Sequence, residues 1–173
     1  AVREHVLRAG KALLTPTPRL REGFLLLDPA RLWPDQIKKA ATIAGAAKFG
    51  RPVSLDDLPS IDLIVVGTVA ISLAGSRVGK GEGYAELEYA TLRQLGRIDA
   101  KVPIATTVHD VQVVEAIPME AFDVPVDIIV TPTRVLRTPG NLPKPTGILW
   151  DRLAPERLEA MPVLKGLRGG SGT

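Results

Sequence analysis

Short apolar runs broken by proline and glycine alternate along this chain with a few stretches of helical spacing. "KALLTPTP" around Leu13 and "GFLLLD" around Leu25 read as strands bounded by turn residues. Residues 35–48, "DQIKKAATIAGAAK", have the spacing of a helix or of successive helical turns, with Asp35 placed to cap. "IDLIVVG" at 61–67 is a β-branched run with almost no polar interruption, the pattern of a central parallel strand covered on both faces. "VPIATTVH" (102–109) and "VDIIVTPT" (126–133) supply two more buried-strand candidates. A helix over about 84–95 puts Ala85, Tyr89, Leu92 and Gly96 on one line and Glu86, Arg93 and Arg97 on another. "APERLEAMP" at 154–162 predicts a last short helix.

This order of elements predicts an α/β fold: a single domain over 1–168 with a mostly parallel sheet and flanking helices, then "GGSGT" (169–173) as a disordered tail. "TPTPRLR" (15–21) and "TPTRVLR" (131–137) echo one another after apolar strands, either by coincidence of two Thr/Pro turns or as neighbours at strand ends.

Composition narrows the chemistry. With 45% hydrophobic and 24% charged residues among 173, the chain has globular proportions and length enough for a core. It has no cysteine, which excludes disulfides, thiolate metal sites and cysteine nucleophiles. No apolar run reaches the ~18 residues of a membrane span, and no secretory pattern opens the chain, so a cytoplasmic protein is expected. The chain starts at Ala1 without methionine, which points to a natural N-terminus outside this sequence. A net charge of +3, spread along the chain, and 4% aromatics argue against nucleic acid as the direct partner.

The densest chemical signal is "GSRVGKGEGYAELEYA" at 75–90, where Gly75, Gly79, Gly81 and Gly83 surround Arg77 and Lys80 just before the helix. Glycines let successive N–H groups turn inward as an anion nest, and a helix start adds unpaired N–H groups and the positive end of its dipole. The arrangement reads as a phosphate cradle formed by Arg77, Gly79, Lys80, Gly81, Glu82, Gly83 and Tyr84. It is not a Walker loop, since no Gly-Lys-Ser/Thr closes it; the bland alternative is an exposed turn with solvated charges. Glu86, off the apolar line and near the proposed phosphates, has the chemistry to hold Mg²⁺.

The run "DLIVVGTVAISLAGSRVGKGEGYAELEYA" resembles the signature of the 5-formyltetrahydrofolate cyclo-ligase (methenyltetrahydrofolate synthetase) family, and "HDVQVVEAIPMEAFDVPVDIIVT" resembles its closing segment. "GKGEGYA", "TPTRV" and "LPKPTGILW" resemble a divergent branch, the methenyltetrahydrofolate synthetase domain-containing proteins. The resemblance implies a fold similar to sugar-phosphate isomerases and CoA-transferases. It also implies MgATP-dependent conversion of 5-formyltetrahydrofolate to 5,10-methenyltetrahydrofolate: the formyl oxygen is phosphorylated, the neighbouring folate nitrogen attacks, and phosphate leaves. No enzyme nucleophile is needed, only positioning and charge neutralisation. Carried over, Arg77, Gly79, Lys80, Gly81, Gly83 and Tyr84 hold the ATP phosphates, while Glu86 and Asp127 hold the metal. Ala85 stands where the family has a second tyrosine, and Glu86 where it has aspartate. The alternative is a divergent phosphate- or nucleotide-binding module without the reaction, RNA-associated like some proteins of the branch.

Arg134, in the "TPTRV" turn, either binds a substrate carboxylate or solvates the loop; Trp150 either stacks on a pterin or anchors a proline-rich loop. A folate or pterin-like small molecule is the expected partner. His109 and Asp110 are adjacent on an extended stretch and so point apart. Lys144, held between Pro143 and Pro145, is undecided by the sequence.

Overall fold

The computed structural model describes residues 2–169, which form two compact units. One comprises the chain through Leu58 together with the stretch from Leu153 on; the other is Pro59–Arg152.

The first unit begins with helix α1 (Val2–Arg8), where Arg8 bonds Glu4 one turn away at 2.8 Å. Strands β1 (Leu13–Pro16) and β2 (Phe24–Leu27) form an antiparallel pair, joined by the Thr17–Gly23 turn. Thr17 holds that turn by donating its hydroxyl to the Gly23 carbonyl and accepting from the Glu22 N–H. The helical pattern at 35–48 becomes two elements, α2 (Ile37–Ala40) and α3 (Ile43–Phe49). The break falls at Thr42, whose extended backbone and side-chain bond from the Gly45 N–H make it the cap, a role expected of Asp35. Strand β3 (Arg51–Val53) then pairs antiparallel with β2. Leu7, Leu25, Leu27, Ala40 and Ala46 form the buried centre of this unit.

The second unit holds two mixed sheets. Strands β4 (Ile64–Val66), β5 (Ala70–Ser72) and β6 (Arg77–Val78) precede helix α4 (Tyr84–Gln94); β7 (Ile104–Thr107), β8 (Val113–Val114), β9 (Ile128–Val130) and β10 (Val135–Arg137) follow it. One sheet has the order β10-β9-β7-β4, the other β6-β5-β8. Pairs β4/β7, β7/β9 and β5/β8 are parallel, whereas β5/β6 and β9/β10 are antiparallel. With the antiparallel first sheet, the result is a mixed α/β architecture of three sheets, two of them partly parallel, and not the one mostly parallel sheet expected. The reason lies in the turns: Thr131-Pro132-Thr133-Arg134 folds β10 straight back on β9, with the Thr131 N–H bonded to the Arg134 carbonyl at 2.9 Å. "IDLIVVG" supplies a strand at the end of the sheet order, with Leu63 49% and Val65 42% exposed, and not a strand covered on both faces.

Helix α4 buries Tyr89 and Leu92, as its apolar line predicts. Beyond its C-cap Leu95 comes Gly96, in the left-handed region (φ +65°); the Arg97 N–H donates to the Leu92 carbonyl and the Gly96 N–H to the Arg93 carbonyl, two hydrogen bonds that satisfy helix carbonyls. Back in the first unit, the short helix expected at 154–162 is α5 (Pro155–Ala160), and Pro162 starts a second helix, α6 (Pro162–Gly169). Gly169, expected in the tail, closes α6; residues 170–173 lie outside the described residues. Among the described residues no helix is long and apolar enough to cross a membrane.

Candidate phosphate-binding site

The site is built where the parallel strands β4, β7 and β9 end. Ile64 pairs with Ile104 and Val66 with Thr106, so Gly67 and Thr68 mark the carboxyl edge of these strands. There the Thr106 hydroxyl donates to the Val66 carbonyl (2.8 Å) and pairs with the Thr68 hydroxyl (2.7 Å). Gln112 fastens the turn after β7 to the same edge by donating to the carbonyls of Thr68 and Val69.

Arg77 of the glycine loop reaches this edge. Arg77 is buried, with a side chain only 1% exposed; it donates to the Gly67 carbonyl at 3.2 Å and forms an ion pair with Glu86 in the first turn of α4. Its Nε has no hydrogen-bond partner among the described residues. A Cβ on Gly79 would lie 3.2 Å from the Arg77 guanidinium, so the loop backbone rests directly on that side chain. Gly81 (φ +83°) and Gly83 (φ +65°) take left-handed conformations that admit glycine readily. Gly83 is also the N-cap of α4 and, lacking a side chain, caps none of the first-turn N–H groups itself. Lys80 and Glu82 are exposed, and Tyr84 is half-buried. Lys80 and Glu82 therefore lie on the outer side of the loop, and the Arg77–Glu86 pair lies buried against Gly79.

Arg134 sits at the tip of the β9–β10 hairpin, half-exposed, with its Nε 3.4 Å from Asp110. The same Asp110 oxygen accepts the hydroxyls of Thr131 and Thr133, each at 2.8 Å. Those hydroxyl bonds, with Arg134 beside them, hold the Asp110 carboxyl below its ordinary range. The adjacent His109 donates its backbone N–H to the Gln112 side-chain oxygen at 2.7 Å. The sequence reading missed Asp110, Thr131 and Thr133 as a group; the signal was the small hydroxyl residues flanking Pro132. Trp150, half-buried, opens a single 3-10 turn, Trp150–Arg152.

Asp127 lies elsewhere. It precedes β9, and its Oδ2 accepts from the N–H of Ile104, the first residue of β7, at 2.8 Å. That is the amino edge of the parallel strands. Gly67 is three residues farther along β4 than Ile64, the partner of Ile104, so the two edges are separated by about 10 Å at ~3.3 Å per residue. Asp127 is bonded there to Lys144 at 2.7 Å. Glu86, paired with Arg77 near Gly67, and Asp127, paired with Lys144 near Ile104, are thus at opposite ends of the strands, each joined to a basic side chain. Among the described residues no group of three or more acidic or histidine side chains gathers as a metal site.

The profile of the 5-formyltetrahydrofolate cyclo-ligase family matches residues 1–132. The chain belongs to this family. It is 48% identical over 168 residues to a methenyltetrahydrofolate synthase domain-containing protein of Mus musculus, covering 94% of this chain and 45% of that protein. The corresponding protein of Homo sapiens is 45% identical over 172 residues, 96% of this chain and 45% of that one. This cyclo-ligase family chain therefore spans less than half the length of the curated relatives it matches. An NMR structure of Aquifex aeolicus 5,10-methenyltetrahydrofolate synthetase is 27% identical, with a TM-score of 0.46 over 86% of this chain and 68% of that one.

Proposed function

We propose that this cyclo-ligase family member binds ATP on the Gly79–Tyr84 loop and the start of α4. With ATP it converts 5-formyltetrahydrofolate to 5,10-methenyltetrahydrofolate, or performs closely related chemistry on a formylated pterin-like substrate. The observation that supports the reading is the left-handed pair Gly81 and Gly83, the second of them the N-cap of α4, in a loop that Arg77 ties to the Gly67 carbonyl at the end of β4. Donors in that position suit a phosphoryl group, whose transfer demands fixed positive potential more than a covalent nucleophile. Lys80 supplies the mobile charge for the phosphate oxygens, and the Arg77–Glu86 pair keeps the loop in place beneath it. Mg²⁺ enters on the nucleotide phosphates. Arg134 at the hairpin tip offers a carboxylate contact to the substrate, and Trp150 a ring face.

A second reading is a binding module that keeps the cradle without the reaction. It is favoured by the internal pairing of Glu86 and Asp127, the two carboxylates the family resemblance assigns to metal. One experiment separates the readings: purified full-length protein with ATP, Mg²⁺ and 5-formyltetrahydrofolate, followed by methenyl absorbance and by ATP binding. Product formation that disappears in Gly81→Val supports the ligase. ATP binding that disappears in Gly81→Val without product in the parent supports the module. Unchanged ATP binding in Gly81→Val refutes the cradle.

A further inference from the structure

We infer that Lys144 is the resident cation of Asp127, and that the pair is a clasp closing the amino edge of the parallel strands rather than part of a metal site. The Lys144 ammonium is surrounded by three oxygens: Asp127 Oδ2 at 2.7 Å, the Ala100 carbonyl at 3.1 Å and the Val102 carbonyl at 3.5 Å. Its side chain is only 11% exposed. An ammonium donates three hydrogen bonds, and this cage presents three acceptors. The same Asp127 oxygen takes the Ile104 N–H, so the carboxylate joins the start of β7 to the segment that carries Lys144.

That segment, "NLPKPTGIL", is fixed at two further points, both on α4. The Arg93 guanidinium donates to the Pro145 carbonyl at 3.2 Å, and the Gln94 side-chain oxygen accepts the Ile148 N–H at 3.2 Å. Pro143 and Pro145 fix the backbone on either side of Lys144, which lowers the conformational entropy lost when the ammonium enters its cage. The segment is thus a strap running from the last turn of α4 across to Asp127. A divalent ion at Asp127 would have to displace a tethered cation held by three oxygens. The strap thereby removes Asp127 from the chemistry at the other edge.

The test uses full-length protein and two readouts. Amide hydrogen exchange at Ile104 and Ile148 reports the clasp without any ligand. Mn²⁺ titration by electron paramagnetic resonance, with and without ATP, reports metal binding. Lys144→Met and Asp127→Asn are each expected to speed exchange at Ile148 by tenfold or more. The double variant should add little to either single change, because both break one contact. Mn²⁺ affinity should stay within twofold of the parent in Asp127→Asn. If that variant does not fold, Lys144→Met with Asp127→Asn supplies the metal measurement, since it leaves no orphaned charge. A tenfold loss of Mn²⁺ affinity on removing Asp127, or unchanged Ile148 exchange in Lys144→Met, overturns the inference. Should the parent bind no ATP, the proposed function fails while the exchange data still decide the clasp.

Discussion

The Arg77–Glu86 pair can be broken from either side, and the two sides should not cost the same. Glu86→Gln leaves a guanidinium whose side chain is 1% exposed without a counter-charge, and that guanidinium already lacks a partner at Nε. Removing one member of a buried pair costs about 3–5 kcal/mol, a large part of the ~5–15 kcal/mol that holds a typical domain. Arg77→Met instead strands a carboxylate that is 16% exposed and sits in the first turn of α4. The helix dipole favours a negative charge there by roughly 0.3–1 kcal/mol, so this variant should be milder by about that amount. Replacing both, as Arg77→Met with Glu86→Leu, should recover most of the loss, because apolar pairs substitute for buried ion pairs at little or no net cost. Urea unfolding, with amide exchange across α4 read alongside, measures all three. Single costs below about 1 kcal/mol, or a double variant that loses the sum of both, would refute the claim that this pair is a buried foundation of the loop.

Other consequences can be checked in the same way. Gly75→Ala should destabilise far more than Gly81→Ala: both have positive φ, but a Cβ at Gly75 would lie 2.5 Å from the Val126 carbonyl, whereas at Gly81 it meets open space. Thermal unfolding should show a cost of about 1–2 kcal/mol for Gly81→Ala, from backbone strain alone, and clearly more for Gly75→Ala. Tyr89→Phe should be neutral or stabilising by up to about 1–3 kcal/mol, because the Tyr89 hydroxyl is buried without a hydrogen-bond partner among the described residues. A clear loss of stability on that change would mean that the hydroxyl has a partner. Asp110 has a carboxyl held below its ordinary value of 3.8 by the Thr133 and Thr131 hydroxyls, then by Arg134. A depressed acid contributes stability that is present above 3.8 and lost as pH falls through the folded-state value. Asp110→Asn should therefore flatten the fall in melting temperature below about pH 4, and an unchanged acid limb would count against this network.

Much of this was legible in the sequence, for identifiable reasons. The glycine loop and α4 were readable because glycine density and 3.6-residue spacing are local signals, and the observed Tyr84–Gln94 lies within the predicted 84–95. Strands β7 and β9 fall inside their apolar runs because Pro103 and the Thr131–Arg134 turn bound them. The sheet of β6, β5 and β8 was not legible: its strands are two or three residues long and register no period. Arg77 illustrates a different limit. Its position among glycines suggested a residue facing phosphates, but its burial depends on Glu86, nine positions on, and on the Gly67 carbonyl, ten back. The placement of Asp127 likewise depended on strand polarity, which no motif encodes, and on Lys144, seventeen residues away.

The strap also bears on where this chain can be cut. The family profile stops at residue 132, between β9 and β10, inside the Thr131–Arg134 hairpin turn. Trimming to that limit would strip Val130 of its partner Val135, empty the cage between Ala100, Val102 and Asp127, and leave the last turn of α4 gripping nothing. A fragment designed on the boundary of the shared family sequence would fail for want of its far edge. Its inactivity would say nothing about whether the glycine loop works.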